Sequence, residues 1–155
     1  MAKVEYIILH WTGGGQKPNA TDLNAYQLLI DTKGDVYTGK PQGKTASTGG
    51  MNSITYNLSC CGGGTIKLTN IQMEKMFKET ALRLKHYGLT ADKVYTHAEI
   101  GQMCKDRSIR KLLPFNKYLW QNIGKIDLTQ IPYNTKGLST GDFIREKIKW
   151  YLTKV

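Results

Sequence analysis

The chain has 155 residues, 40% of them apolar, enough to bury one core and too few for two, so a single domain over residues 1–155 is expected. Lys and Arg number 22 against 12 Asp and Glu, and the resulting formal charge of +10 favours an anionic partner such as nucleic acid, a membrane surface or a cell-wall polymer. Three cysteines, two of them adjacent at Cys60 and Cys61, give no disulfide framework and fit synthesis in a reducing compartment.

In chain order, "MAKVEYIILHW" opens with a short apolar run that already carries Glu5. It has neither the apolar segment nor the small-residue cleavage site of a secretory signal, and no later stretch approaches a membrane-spanning length. The expectation is a soluble monomer made in the cytoplasm without a signal peptide and without membrane insertion.

"VEYIILHW" reads as the first strand. The segment from Gly13 to Leu23, with its glycines, Pro18 and polar residues, reads as a loop. "AYQLLIDTKGDVYTG" is a second β-branched and aromatic run, broken at "TKGD", where Gly34 suits a hairpin turn. "SITYNLSCC" is a third strand candidate. Thr69 and Gln72 make a capping box, after which Met73, Met76, Phe77, Thr80, Ala81, Leu84 and Tyr87 keep helical spacing up to Gly88. "DKVYTH" resumes as a strand, residues 98–138 read as mixed and loop-rich, and Ile144, Ile148, Tyr151, Leu152 and Val155 mark a C-terminal helix opening near Ser139 and Thr140. Interleaved strands and helices predict an α/β fold with a central mixed sheet covered by helices.

Two histidines carry the candidate chemistry. His10 closes the first strand just before three glycines, and His97 closes "DKVYTH" in the same way. Sites in α/β sheets gather at the carboxyl ends of strands, so the two can converge, and neutral imidazoles there would supply two of the three protein ligands of an open zinc site. A lone histidine in such a place is more often satisfied by backbone; the pair is what points to metal. His86, in the last turn of its helix, interacts favourably with the helix dipole and reads as structural.

In that order, "IILHWTGGG", "AYQLLIDTKGDVYTGK", "NSITYNL" and "YTHAE" resemble the N-acetylmuramoyl-L-alanine amidase family, in particular phage lysozymes of the T7 type. Bacterial anhydro-muropeptide amidases and animal peptidoglycan recognition proteins share that fold, and the resemblance spans about residues 4–128. It implies a Zn2+-dependent hydrolase that cuts the amide between N-acetylmuramic acid and L-alanine in bacterial peptidoglycan. It also implies a phage or prophage endolysin that acts on the cell wall after release.

The resemblance assigns zinc to His10, His97 and a third ligand, Cys or Asp, that often follows a lysine as K-x-C or K-x-D. Lys125, Ile126 and Asp127 keep that spacing, whereas Cys104 precedes Lys105 and Asp106 adjoins it. Asp127 is therefore preferred, with Asp106 and Cys104 as the alternatives, although a long loop must return it to the site. Without a metal, Asp127 is a turn or cap residue and Cys104 a small core residue.

The resemblance makes Tyr26 and Lys125 the catalytic candidates, against a core tyrosine and a solvated lysine. Strand alternation puts Tyr26 on the face of Leu28 and Ile30 unless it sits at the edge facing the cleft. Asn57 stands where the anhydro-muropeptide amidases carry a glutamate, and it cannot accept a proton as a base. Trp11, Thr48 and Asn52 are substrate-binding candidates, and Glu99 a candidate to orient a loop or a metal ligand. The segment Gly13 to Leu23 departs from the helix that family members usually carry there. Two rivals remain: a non-catalytic peptidoglycan-binding module of the same fold, and a nucleic-acid-binding protein. The basic residues are scattered and not striped, so no specific nucleic-acid partner is expected.

Overall fold

The computed structural model describes residues 3–155. Its strands are β1 (Tyr6–Trp11), β2 (Leu28–Ile30), β3 (Val36–Thr38), β4 (Thr55–Cys60) and β5 (Val94–Thr96), and its α-helices are α1 (Ala20–Ala25), α2 (Asn70–Tyr87), α3 (His97–Lys105) and α4 (Thr140–Leu152). The strands form one mixed sheet in the order β3-β2-β4-β1-β5. Only the β2–β3 hairpin is antiparallel, so β1, β2, β4 and β5 all end at the same edge. This is the expected α/β architecture.

Helix α2 forms as its sequence dictates. The Thr69 hydroxyl accepts the Gln72 N–H and the Gln72 side chain accepts the Thr69 N–H, which satisfies two donors that a helix start leaves free. Met73, Met76, Phe77, Ala81 and Leu84 are buried on the sheet, and Gly88 ends the helix at φ 69°, a left-handed conformation that a Cβ would penalise. His86 is exposed and packs against the Tyr87 ring.

The period of two along β1 separates two cores. Ile7, Leu9 and Trp11 join the main core under α2 and α4, whereas Tyr6 and Ile8 join a second cluster with Met51, Ile100, Cys104 and Leu119. Strand β4 alternates likewise, with Tyr56, Leu58 and Cys60 in the main core. Thr55, Asn57 and Ser59 take the opposite face, buried although polar, and this row forms the floor beside His10.

Three expectations need correction. His97 does not end a strand: β5 stops at Thr96, and His97 is the first residue of α3. The Thr96–Glu99 capping box starts that helix, and Ile100 and Cys104 bury one face of it, so 98–138 is less loop-rich than its composition suggests. Two 3-10 helices, Ser108–Lys111 and Lys117–Asn122, follow. The segment read as a loop from Gly13 to Leu23 contains the start of α1, capped by Asn19 and Asp22; it buries no residue, so no apolar period revealed it.

The C-terminal helix is tied to the turn that presents His97. Arg145 donates to both Glu99 carboxylate oxygens at 2.8 and 2.7 Å and to the Val94 carbonyl at 3.0 Å, while Glu99 also accepts the Thr96 N–H. Helix α4 passes close enough that a Cβ on Gly141 would lie 2.3 Å from Glu99 Oε2, so only glycine fits. Glu99 thus fixes the helix start and does not itself reach the histidine cluster.

Candidate metal centre

His10 and His97 are 87 residues apart, and the sheet makes them neighbours. Leu9 pairs with Thr96 in the parallel β1–β5 register, so the residue after each is a histidine: His10, next to last in β1, and His97, the first of α3. Their Nδ1 atoms lie 3.1 Å apart. Asp127 Oδ2 stands 3.5 Å from the first and 3.7 Å from the second, and also accepts the Trp11 backbone N–H at 3.3 Å. The three residues are 0%, 6% and 7% exposed.

Asp127 arrives from the segment after the second 3-10 helix. Its neighbour Leu128 is wholly buried in the main core and adopts φ 64°, a left-handed conformation that costs a leucine roughly 1–2 kcal/mol. Consecutive side chains point apart: Leu128 into the main core, Asp127 to the histidine pair.

The donor set fits zinc. A tetrahedral zinc with bonds of about 2.0–2.1 Å sets its ligand atoms about 3.4 Å apart, and the three edges here bracket that value. His10, His97 and Asp127 are the one group of at least three potential ligands found together among the described residues. Burial would raise the Asp127 carboxyl, but whenever the facing histidines carry protons toward it they hold it well below the usual carboxylate range, so the group stays anionic. Burial lowers the basicity of His10 against the pull of Asp127, which favours the neutral imidazole that a metal needs.

His97 and Asp127 open onto a cleft of about 390 Å³, whose walls include Trp11, Tyr26 and Lys125. The Tyr26 ring lies 4.9 Å from that of His10, and the strand begins only at Leu28, so Tyr26 takes the edge position and not the core face. Its phenol is pushed up to about 12, first by burial and then by the charge on Asp127. Lys125 is exposed at the rim, and Trp11 is packed so closely on Gly63 that a Cβ there would lie 2.2 Å from the indole. A larger hollow of about 510 Å³ between α4 and residues 135–138, walled by Phe143 and Trp150, holds none of these donors.

The other candidates lie elsewhere. Cys104 is buried among Ile100, Ile109 and Leu119, with its thiol pushed up by burial, and Asp106 caps the end of α3 and accepts the Ser108 N–H. Neither belongs to the cluster. Thr48 is buried and donates to Asn57 at 2.9 Å, and Asn52 accepts the Thr48 N–H at 2.8 Å, so both brace the loop behind His10. Sequence reading missed Asn122, which meets His97, and Gln27, which meets Asn57. The alternation of Thr55, Asn57 and Ser59 with apolar residues was a signal for the polar floor; Asn122 had none.

A family model described as N-acetylmuramoyl-L-alanine amidase matches residues 1–110. Among solved structures, the N-acetylmuramoyl-L-alanine amidase LysC from Clostridium intestinale URNW superposes with a TM-score of 0.55 at 16% identity, over 72% of this chain and 86% of its own. A selenomethionine derivative of AmpD gives 0.54 at 14%, over 63% and 73%, and the Drosophila peptidoglycan recognition protein SA gives 0.50 at 19%, over 62% and 68%. At these identities the likeness is one of fold. No curated protein matches the chain in sequence.

Proposed function

Because the chain belongs to the N-acetylmuramoyl-L-alanine amidase family, we propose that it hydrolyses the amide between N-acetylmuramic acid and L-alanine in bacterial peptidoglycan, with zinc held by His10, His97 and Asp127. The observation that carries this reading is the meeting of three donor atoms within 3.1–3.7 Å beside a cleft that also holds Tyr26 and Lys125. Bound there, zinc supplies a Lewis acid and favours ionisation of water near neutral pH.

The remaining steps fall to the chain's own groups. Tyr26, its phenol pushed up to about 12, keeps its proton at neutral pH and acts as a hydrogen-bond donor, not as a base. Its target is the carbonyl oxygen of the scissile amide, which gains negative charge as the carbonyl is attacked. Lys125 adds a mobile positive charge at the rim for the same oxygen. Trp11 offers a rigid apolar wall to the bound substrate. The functional unit is the whole of residues 1–155, because Asp127 and the Arg145 clamp both lie beyond residue 110. The setting we assign is that of an endolysin.

The test is incubation of the zinc-loaded protein with purified peptidoglycan. New L-alanine amino termini should appear and should cease on chelation. Tight binding to peptidoglycan with no new amino termini would identify a non-catalytic binding module instead.

A further inference from the structure

We infer that Asn57 and Asn122 are a matched pair of positioning residues, which fix both histidines with the proton on Nε2 so that both Nδ1 lone pairs aim at one point. His10 Nε2 lies 2.8 Å from Asn57 Oδ1, and His97 Nε2 lies 2.8 Å from Asn122 Oδ1. A side-chain amide turned the other way would present its NH2 and demand the opposite tautomer. The surrounding acceptors, backbone carbonyls at Asn122 and side-chain oxygens at Asn57, forbid that turn in both cases.

Asn122 Nδ2 reaches the Gly49 and Leu119 carbonyls at 2.8 and 3.0 Å, and a carbonyl can only accept. Its oxygen must therefore face His97. For Asn57 the same logic runs through one more residue. Gln27 Oε1 accepts the Asn57 backbone N–H at 2.7 Å, which identifies it as the oxygen, and Asn57 Nδ2 donates to that oxygen at 3.1 Å and to Thr55 Oγ1 at 3.1 Å. Asn57 Oδ1 is left facing His10, where it also accepts the Thr48 hydroxyl. With Oδ1 as acceptor on each side, each Nε2 donates.

Both amides are buried, at 0% and 1% exposure, so they act through the histidines and not on substrate. Their neutrality has a chemical effect. Carboxylates in their places would each bring a negative charge, whereas with amides Asp127 is the one anion of the cluster, and a divalent cation there keeps net positive charge and its electrophilicity. The inference rests on the zinc reading for this effect, but the tautomers can be measured without metal.

The first measurement is a long-range ¹H–¹⁵N correlation of the imidazole rings in the metal-free wild-type protein at neutral pH. Protonated Nε2 on both His10 and His97 is expected, and a ring with bare Nε2 overturns the inference. Asn57→Leu and Asn122→Leu remove the acceptor at similar volume. Each should release the facing histidine into a mixture of tautomers and weaken zinc binding by about 10–100-fold. Unchanged tautomers and affinity in both folded variants would also overturn it, and if either variant fails to fold the wild-type spectrum decides. Wild-type protein with both Nε2 protonated but no affinity for zinc would defeat the proposed function and leave the tautomer assignment standing.

Discussion

The Nδ1 atoms of His10 and His97 face each other at 3.1 Å across adjacent strand ends, with the Asp127 carboxylate beside both. In neutral rings these are two lone pairs and an anion crowded together in a buried space. A cation relieves that crowding, so metal binding should stabilise the fold. Free zinc at about a hundredfold its Kd contributes about 2.7 kcal/mol, and for a chain of this size that raises Tm by roughly 5–10 °C. Thermal unfolding with zinc and with chelator measures it; identical curves would remove the metal site.

Ligand identity separates by variant. His97→Ala and Asp127→Ala should each lose zinc and activity together while the circular dichroism spectrum stays native. Cys104→Ser should keep its zinc and its activity and lose about 1 kcal/mol of stability, since the new hydroxyl is buried beside Ile100 and Leu119 but keeps the Asn122 side chain as a hydrogen-bond partner. Asp106→Ala should change metal content not at all. Zinc loss in Cys104→Ser with retention in Asp127→Ala would reverse the assignment.

Tyr26→Phe keeps the ring against His10 and removes the donor. The expected fall in kcat is about 10²–10³-fold, the scale of losing one oxyanion donor, with zinc content unchanged. Lys125→Met should give a smaller loss that shrinks further in high salt, because Lys125 is exposed. Wild-type turnover by Tyr26→Phe would return that residue to a packing role.

Stability should depend on pH through His10. Burial lowers its pKa in the folded chain from the ordinary 6.5. Above pH 6.5 both states are neutral at this position; below it the unfolded chain takes up a proton that the folded chain resists, so stability falls as pH falls. Urea unfolding of the metal-free protein at pH 7.5, 6.5 and 5.5 should show that decline, and His10→Gln should flatten it. A wild-type protein that grows more stable on acidification would contradict the buried neutral histidine.

The sheet and α2 were readable because each rests on local pattern: the apolar runs of β1 and β4, the Thr69–Gln72 box, the spacing from Met73 to Leu84. Helix α3 was also written locally, in Thr96-x-x-Glu99 and in Ile100 with Cys104, but the β-branched and aromatic run before it drew His97 into the strand. His10 and His97 stood out because each follows an apolar, β-branched run, although only His10 lies within its strand. Nothing within "KIDLT" marks Asp127 as a group that meets them, and only the lysine spacing of the resemblance singled it out. Its position depends on where Leu128 is buried, which is a tertiary fact. The same holds for Asn122, whose task is set by the Gly49 and Leu119 carbonyls and by no period in its own segment.

The left-handed backbone at Leu128 gives the three acidic and imidazole donors unequal mechanical status. His10 and His97 are part of the sheet and its first following turn, and they move only if the fold does. Asp127 is held from outside the sheet, by its bond to the Trp11 backbone N–H and by the buried, left-handed Leu128 next to it. A substitution at Leu128 should therefore displace the third donor before it disturbs the sheet, leaving the two histidines side by side without the carboxylate.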